Sequence, residues 1–236
     1  MAKILMVVSG ADSMRLADGT THPTGYWAEE VAVSHEVLTG AGAQVVIATP
    51  GGVRPTVDAL SLDERGGVAE ADARRHRAYL DGIADQLSAP LALAEARADD
   101  YDAVLVPGGH APMADLATDA ALGRLLGEAD ASGRTVAALC HGVAALLSAD
   151  RQDAGFTFAG RTLTSFTDEE ERQGGLGDNT PYYLESRLRE RGAVIRSGPA
   201  WSSTVVQDGN LITGQNPQSS RATAEAVLKN LKDLTG

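Results

Sequence analysis

Cys140 is the only cysteine in 236 residues. It stands in Ala138-Leu-Cys-His-Gly142, with a histidine directly after it and small residues around the pair. A lone cysteine is often a small buried hydrophobe, but this one closes an apolar run at the point where a helix over 142–148 is expected. A strand turning sharply into a helix holds a nucleophile up at the turn, and the close backbone approach requires small neighbours. Ala138 and Gly142 supply them. The turn predicts a strained backbone at Cys140, with positive φ. The free amides and dipole of the helix N-terminus predict a thiol shifted toward thiolate. His141 offers a base whose ordinary pKa suits proton transfer at neutral pH. Successive helical residues do not face each other, so His141 is expected to serve a bound substrate rather than its neighbour's sulfur. Gly108-Gly109 forms a second loop at the same edge. Its amides, with that of His141, could receive an oxyanion.

The elements that must hold these groups read as alternating strands and helices. Continuous apolar runs at 3–8, 44–48, 102–106 and 134–139 predict strands buried on both faces. Helical spacing covers 25–40, 70–87, 118–131, 181–191 and 220–234, with a further short helix over 90–98. A hairpin is expected from 156–158 and 162–164, and strands at 194–195, 204–207 and 211–213. Such alternation implies βαβ units around a mostly parallel sheet with helices on both faces. Sites on such sheets form outside the carboxyl ends of the strands. One α/β domain over 1–236, with insertions near 53–98 and 165–190, is the economical reading.

The formal net charge of −12 and the pI near 4.8 argue against nucleic-acid and anionic-membrane partners, which need a cationic face. The one basic cluster, Arg74-Arg75-His76-Arg77, reads as a solvated helix face. A single cysteine makes no internal disulfide. Ile4 to Val8 is too short for a signal peptide or a membrane span. A soluble cytoplasmic protein is expected.

Several longer motifs extend the pattern: Thr24-Gly-Tyr-Trp-Ala-Glu-Glu30, Ala48-Thr-Pro-Gly-Gly52, Tyr101-Asp-Ala-Val-Leu-Val-Pro-Gly-Gly-His110, Leu163-Thr-Ser-Phe-Thr-Asp-Glu-Glu-Glu171, Thr180-Pro-Tyr-Tyr-Leu-Glu185 and Leu211-Ile-Thr-Gly-Gln-Asn-Pro217. In this order, and with the cysteine motif, they resemble the ThiJ/PfpI superfamily nearly end to end. The similarity is to its glutathione-independent glyoxalase (glyoxalase III) and holding-chaperone branch. The resemblance implies a class I glutamine amidotransferase-like fold, a flavodoxin-like three-layer sandwich with a nucleophile elbow. It implies Cys140 as nucleophile, His141 as base, Glu30 as the acid bonded to the thiol, and Glu171, or its neighbour Glu170, as third acid. Gly108, Gly109, His110 and Trp27 fall on the oxyanion and substrate side. The reaction implied is conversion of a methylglyoxal-type 2-oxoaldehyde to a 2-hydroxy acid. It takes a small carbonyl substrate and needs neither metal nor cofactor. A homodimer is the family tendency.

Taken alone, Glu29 and Glu30 read as surface helix acids, and Asp168 to Glu171 as a solvated helix start. Two departures stand out. Relatives often carry His-Pro where Val33-Ser34 stands, with His35 a partial replacement, and Pro where Val143 stands. An amidotransferase triad needs a histidine well after the cysteine, but the histidines are at 22, 35, 76, 110 and 141. That triad cannot be built. A cysteine peptidase or amidase using His141 and Glu171, a chaperone or redox sensor, and a specialised carbonyl-processing enzyme stay open. A large exposed apolar patch would favour the chaperone; a small closed pocket over Cys140 would favour the oxoaldehyde enzyme.

Overall fold

The structure is a computed structural model describing residues 1–151 and 155–235. Seven strands form the central sheet: β1 (Lys3–Val7), β4 (Gln44–Thr49), β5 (Leu91–Ala92), β6 (Ala103–Val106), β7 (Thr135–Leu139), β12 (Val205–Asp208) and β13 (Leu211–Gly214). Their order is β12-β13-β7-β6-β1-β4-β5, parallel throughout except for β12 against β13. Among the described residues three small pairs lie outside it: β2 (Ser13–Arg15) with β3 (Thr21–Pro23), β8 (Asp150–Arg151) with β9 (Gly155–Phe156), and β10 (Thr162–Leu163) with β11 (Val194–Ile195). The helices are α1 (Ala28–Gly40), α2 (Glu70–Gly82), α3 (Ala84–Ser88), α4 (Ala120–Ala131), α5 (Asp168–Gly174), α6 (Leu184–Glu190) and α7 (Ser220–Thr235). No described helix is long and apolar enough to cross a membrane.

The three layers follow from the period-2 alternation of side chains along each strand. Leu5 and Val7 of β1, with Val104, Val106, Val136 and Ala138, pack toward α4 and the segment after Cys140. Ile4 and Met6, with Ala103, Leu105, Ala137 and Leu139, pack toward α1 and α7. Both faces are covered, so the strands read as unbroken apolar runs. Each fully buried Leu, Ile, Val or Met side chain contributes about 1.5–3 kcal/mol. After β1 the chain builds outward on one side through β4 and β5, then on the other through β6 and β7. That reversal opens a crevice at the carboxyl ends of β1 and β6, where parallel sheets bind ligands.

Four local expectations are corrected. Residues 90–98 hold no regular helix: Leu91–Ala92 is an edge strand, followed by a 3-10 turn over Leu93–Glu95. Pro90, without an N–H, is tolerated at a sheet edge, and Leu93 is fully buried there. The helix expected over 70–87 divides at Gly82-Ile83 into α2 and α3. Phe156 and Leu163 do not share a hairpin. β9 pairs with β8 and β10 runs parallel to β11, because fully buried Phe158 carries the chain into the core between them. The segment after β7 winds as a 3-10 helix from Cys140 to Ala149. It is wedged: a Cβ on Gly142 would lie 2.3 Å from the Val106 carbonyl oxygen, and one on Gly123 of α4 2.0 Å from that of Ser148.

Candidate active site

Cys140 follows the last residue of β7, is 4% exposed, and has φ of +55°. A non-glycine residue in this region costs about 1–3 kcal/mol, so the surroundings must enforce it. They do so through glycine: a Cβ on Gly108 would fall 2.7 Å from the Gly142 nitrogen, and one on Gly109 2.3 Å from the Gly25 carbonyl oxygen. The β6 loop and the elbow therefore interlock backbone against backbone. The amides of Gly109 and His141 both donate toward the sulfur. Gly108 differs from expectation. Its amide donates to Glu30 Oε2 at 2.6 Å, so it positions the acid and is not available to a reacting oxygen.

Glu30 lies in the first turn of α1 and is completely buried. Its Oε1 has no hydrogen-bond partner, and the carboxyl interacts with the Cys140 thiol, a contact that favours its charged form. A buried carboxylate oxygen with no donor is costly, whereas a protonated one can donate to sulfur. Burial pushes the Glu30 carboxyl up to about 8, against the Gly108 bond that favours its charge. Burial also raises the Cys140 thiol well above its ordinary value, and the Glu30 carboxyl adds to this. The expected shift toward thiolate is thus overturned. Two amides and a short helix do not outweigh desolvation and an adjacent acid, and the pair titrates as a coupled unit.

His141 reaches the thiol after all, with Nδ1 3.6 Å from Sγ. The helical rule fails because Cys140 is left-handed and the two residues are not successive steps of a regular helix. Nε2 of His141 bonds Glu171 Oε2 at 2.6 Å. Burial, then the charge of His110, lowers the His141 imidazole to about 4. The ring is therefore neutral, donating through Nε2 and presenting a lone pair at Nδ1. Burial alone would raise Glu171, but His141 and His110 together hold it well below the usual carboxylate range. The Leu176 amide and His110 Nε2 bond its Oε1 at 2.9 and 3.1 Å. Glu170 points elsewhere. It caps α5 through Thr167 and accepts from Trp201, Gln215 and Asn216.

The cleft over Cys140 has a volume of about 750 Å³ and is lined by Trp27, Gly109, His110, His141, Phe166 and Trp201 among others. It is neither small nor closed. Phe166 and Trp201 were not singled out by sequence. Phe166 stacks on His141 with centroids 4.4 Å apart, and Trp201 meets Phe166 edge-on at 5.6 Å. Trp201 has φ of +61°, a strain that no residue pattern announces. His35 does not replace a pocket histidine: Nδ1 is 2.8 Å from the Tyr79 hydroxyl and Nε2 3.3 Å from Gln86. Val33 is buried beside it, and Val143 is in the core. In the basic cluster the three arginines are exposed, but His76 turns inward and is 2% exposed.

His110, His141 and Glu171 have ligand atoms within 4.8 Å of one another. They could hold a divalent cation only by surrendering both imidazole–carboxylate hydrogen bonds. As placed, the ensemble can form a covalent adduct at Cys140, receive an oxyanion at two amides, and move protons through Glu30, His141 and His110.

Comparison with known proteins agrees with this architecture. A profile described as the DJ-1/PfpI family matches residues 24–230. The chain is 30% identical over 199 residues to the Bos taurus "Glutamine amidotransferase-like class 1 domain-containing protein 1", covering 84% of each chain. It is 28% identical over 242 residues to the Schizosaccharomyces pombe "Glutathione-independent glyoxalase hsp3101", covering 98% of this chain and 97% of the other. Among solved structures, the Francisella tularensis Rapid Encystment Protein 24 KDa superposes with a TM-score of 0.87 at 29% identity. That match covers 98% of this chain and 99% of the other.

Proposed function

The chain belongs to the DJ-1/PfpI family, and from that premise we propose that it is a glutathione-independent glyoxalase acting on 2-oxoaldehydes through Cys140. The observation that carries the reading is the pairing of a left-handed cysteine with a completely buried acid, Glu30, beside an imidazole 3.6 Å from sulfur. A relative named as a glutathione-independent glyoxalase, similar over nearly its whole length, supports it.

The reaction needs a nucleophile and a series of proton transfers. Sulfur bonds to the aldehyde carbon as its proton passes to His141 Nδ1. The carbonyl oxygen becomes an alkoxide held by the Gly109 and His141 amides, then takes that proton back to give a hemithioacetal. His141 next removes the hydrogen on the former aldehyde carbon. The electron pair forms a double bond to the ketone carbon, whose oxygen is protonated to give an enediol. Glu30, protonated beside the sulfur, supplies that proton. His141 then returns the proton it took to the ketone carbon, while the hydroxyl on the former aldehyde carbon gives its proton to the Glu30 carboxylate and the enediol collapses to a thioester. Water then cleaves the thioester and releases the thiol. The aldehyde carbon is oxidised, the ketone carbon is reduced, and one water is consumed. No external oxidant or reductant enters.

A cysteine amidase or peptidase is the second reading, favoured by the Cys140–His141–Glu171 alignment. Thiol hydrolysis needs no acid pressed against the sulfur, so Glu30 separates the two. Of the exposed large apolar side chains among the described residues, Met1 and Leu234 line one cleft, while Val53, Val194 and Trp201 line no part of it, which gives a chaperone reading little support. The test is lactate formation from methylglyoxal without glutathione. The wild type should turn over, and Cys140→Ala should leave only the uncatalysed rate. Turnover of amides through Cys140 without lactate would transfer the assignment to the amidase.

A further inference from the structure

The cleft is much larger than the substrate invoked so far. About 750 Å³ lies within the range of sites that take drug-sized ligands, whereas methylglyoxal has three carbons. From Cys140 the cleft runs outward past Trp27 to Glu29 and the first turns of α2, where Asp72, Arg75 and His76 line it. We infer that this outer half is a subsite for the hydroxylated tail of a longer, sugar-derived 2-oxoaldehyde of five or six carbons. The inference rests on the glyoxalase reading and names its substrate class.

The donors and acceptors of the wall select that class. Arg75 Nη2 stands 3.3 Å from Asp72 and Arg65 is paired with Asp63, so both cleft guanidiniums are already neutralised. With Glu29 added, the wall is unfavourable to phosphate or carboxylate tails. His76 is 2% exposed, and its Nε2 faces the Arg75 guanidinium at 3.3 Å. A guanidinium can only donate, so Nε2 accepts and the proton resides on Nδ1. That Nδ1 is buried without a partner, as is the indole Nε1 of Trp27. Beneath the wall lie two N–H donors lacking acceptors, both closed to solvent until a neighbouring side chain shifts, together with the Glu29 carboxyl, which burial and then Asp72 push up to about 7. An ammonium tail could answer the carboxyl but not the two N–H groups. Hydroxyls both donate and accept, and answer the carboxyl directly and the two N–H groups once the wall yields to the bound tail. An unsatisfied buried donor costs about 1–3 kcal/mol, so a tail that pairs with it gains affinity a short substrate cannot.

The experiment compares kcat/KM for methylglyoxal with that for 3-deoxyhexos-2-ulose, a six-carbon 2-oxoaldehyde, using the full chain. The wild type should prefer the six-carbon compound at least tenfold, through KM. His76→Phe and Glu29→Leu should each lower the ratio of the two substrates about tenfold, again through KM, as loss of one hydrogen bond to the bound tail requires. Glu29 is only half-buried, so its variant serves if His76→Phe fails to fold. Efficient methylglyoxal turnover without six-carbon preference, or a ratio unmoved in both variants, overturns the subsite and leaves the glyoxalase reading standing. Conversion of neither compound removes both.

Discussion

Glu30 and Glu171 lie on opposite sides of the Cys140–His141 pair, both buried, and their surroundings drive them to opposite charge states. Glu30 faces one amide and a thiol, and burial pushes it up to about 8. Glu171 faces two imidazoles and the Leu176 amide, and those partners hold it far below its usual range despite burial. One carboxyl keeps a proton to give; the other keeps a charge that orients the imidazoles. Pairs of acids pushed apart in this way divide acid and base work between them.

The largest effect expected from breaking the comparison is at Glu171. Glu171→Gln keeps the shape but removes the charge that fixes Nε2–H on both imidazoles, freeing His141 to put its proton on Nδ1, toward sulfur. A wrong tautomer in a comparable triad costs about 10⁴ in turnover, so kcat for lactate formation should fall about 10³- to 10⁴-fold. Retention within tenfold would show that Glu171 anchors α5 without steering the proton.

A smaller effect is expected at the thiol. The raised thiol means that Cys140 alkylation by iodoacetamide should climb with pH through a midpoint above the ordinary value of about 8.5. Burial is the first cause and persists in any variant, but the contribution of the Glu30 carboxyl does not. Glu30→Gln should therefore move the midpoint down and speed alkylation at pH 7.5 by about tenfold, even as lactate formation falls about 10²-fold. An unchanged midpoint would mean that the two groups share no proton.

Much of this arrangement was legible in the residues, for identifiable reasons. β1, β4, β6 and β7 show as unbroken apolar runs because both sheet faces are covered. The Cys140 elbow shows because interlocked backbones tolerate only glycine and small residues around it. What failed depended on groups distant in sequence. The thiol was misjudged because its strongest neighbour lies 110 residues away and acts against the helix dipole. His76 reads as part of a solvated basic run, yet it is buried against the cleft while Arg74 and Arg77 face water. Phe166 and Trp201 form the aromatic wall only through a tertiary contact and a left-handed tryptophan. The choice between Glu170 and Glu171 needed coordinates, since adjacent residues at a helix start diverge by about 100°.

The smallest effect concerns stability, and it has opposite sign to the loss of activity. In the fold Glu30 keeps its proton to about pH 8, whereas in the unfolded chain a glutamate releases it near pH 4.3. Between those values the unfolded state binds fewer protons than the native one, so unfolding free energy declines as pH rises. The loss begins near the unfolded value and is complete once pH passes the folded one. Glutamine has no proton to lose, and its side-chain carbonyl can still accept from the Gly108 amide. Glu30→Gln should therefore match the wild type near pH 4.5 and exceed it by a margin that widens up to pH 8.5, read as a higher Tm. Thermal melts of both proteins across that range decide it. Parallel curves would place the Glu30 ionisation at an ordinary pH and remove the protonated acid on which the proposed enediol step depends. A gap that widens with pH would show the fold holding a carboxyl in a form that costs stability.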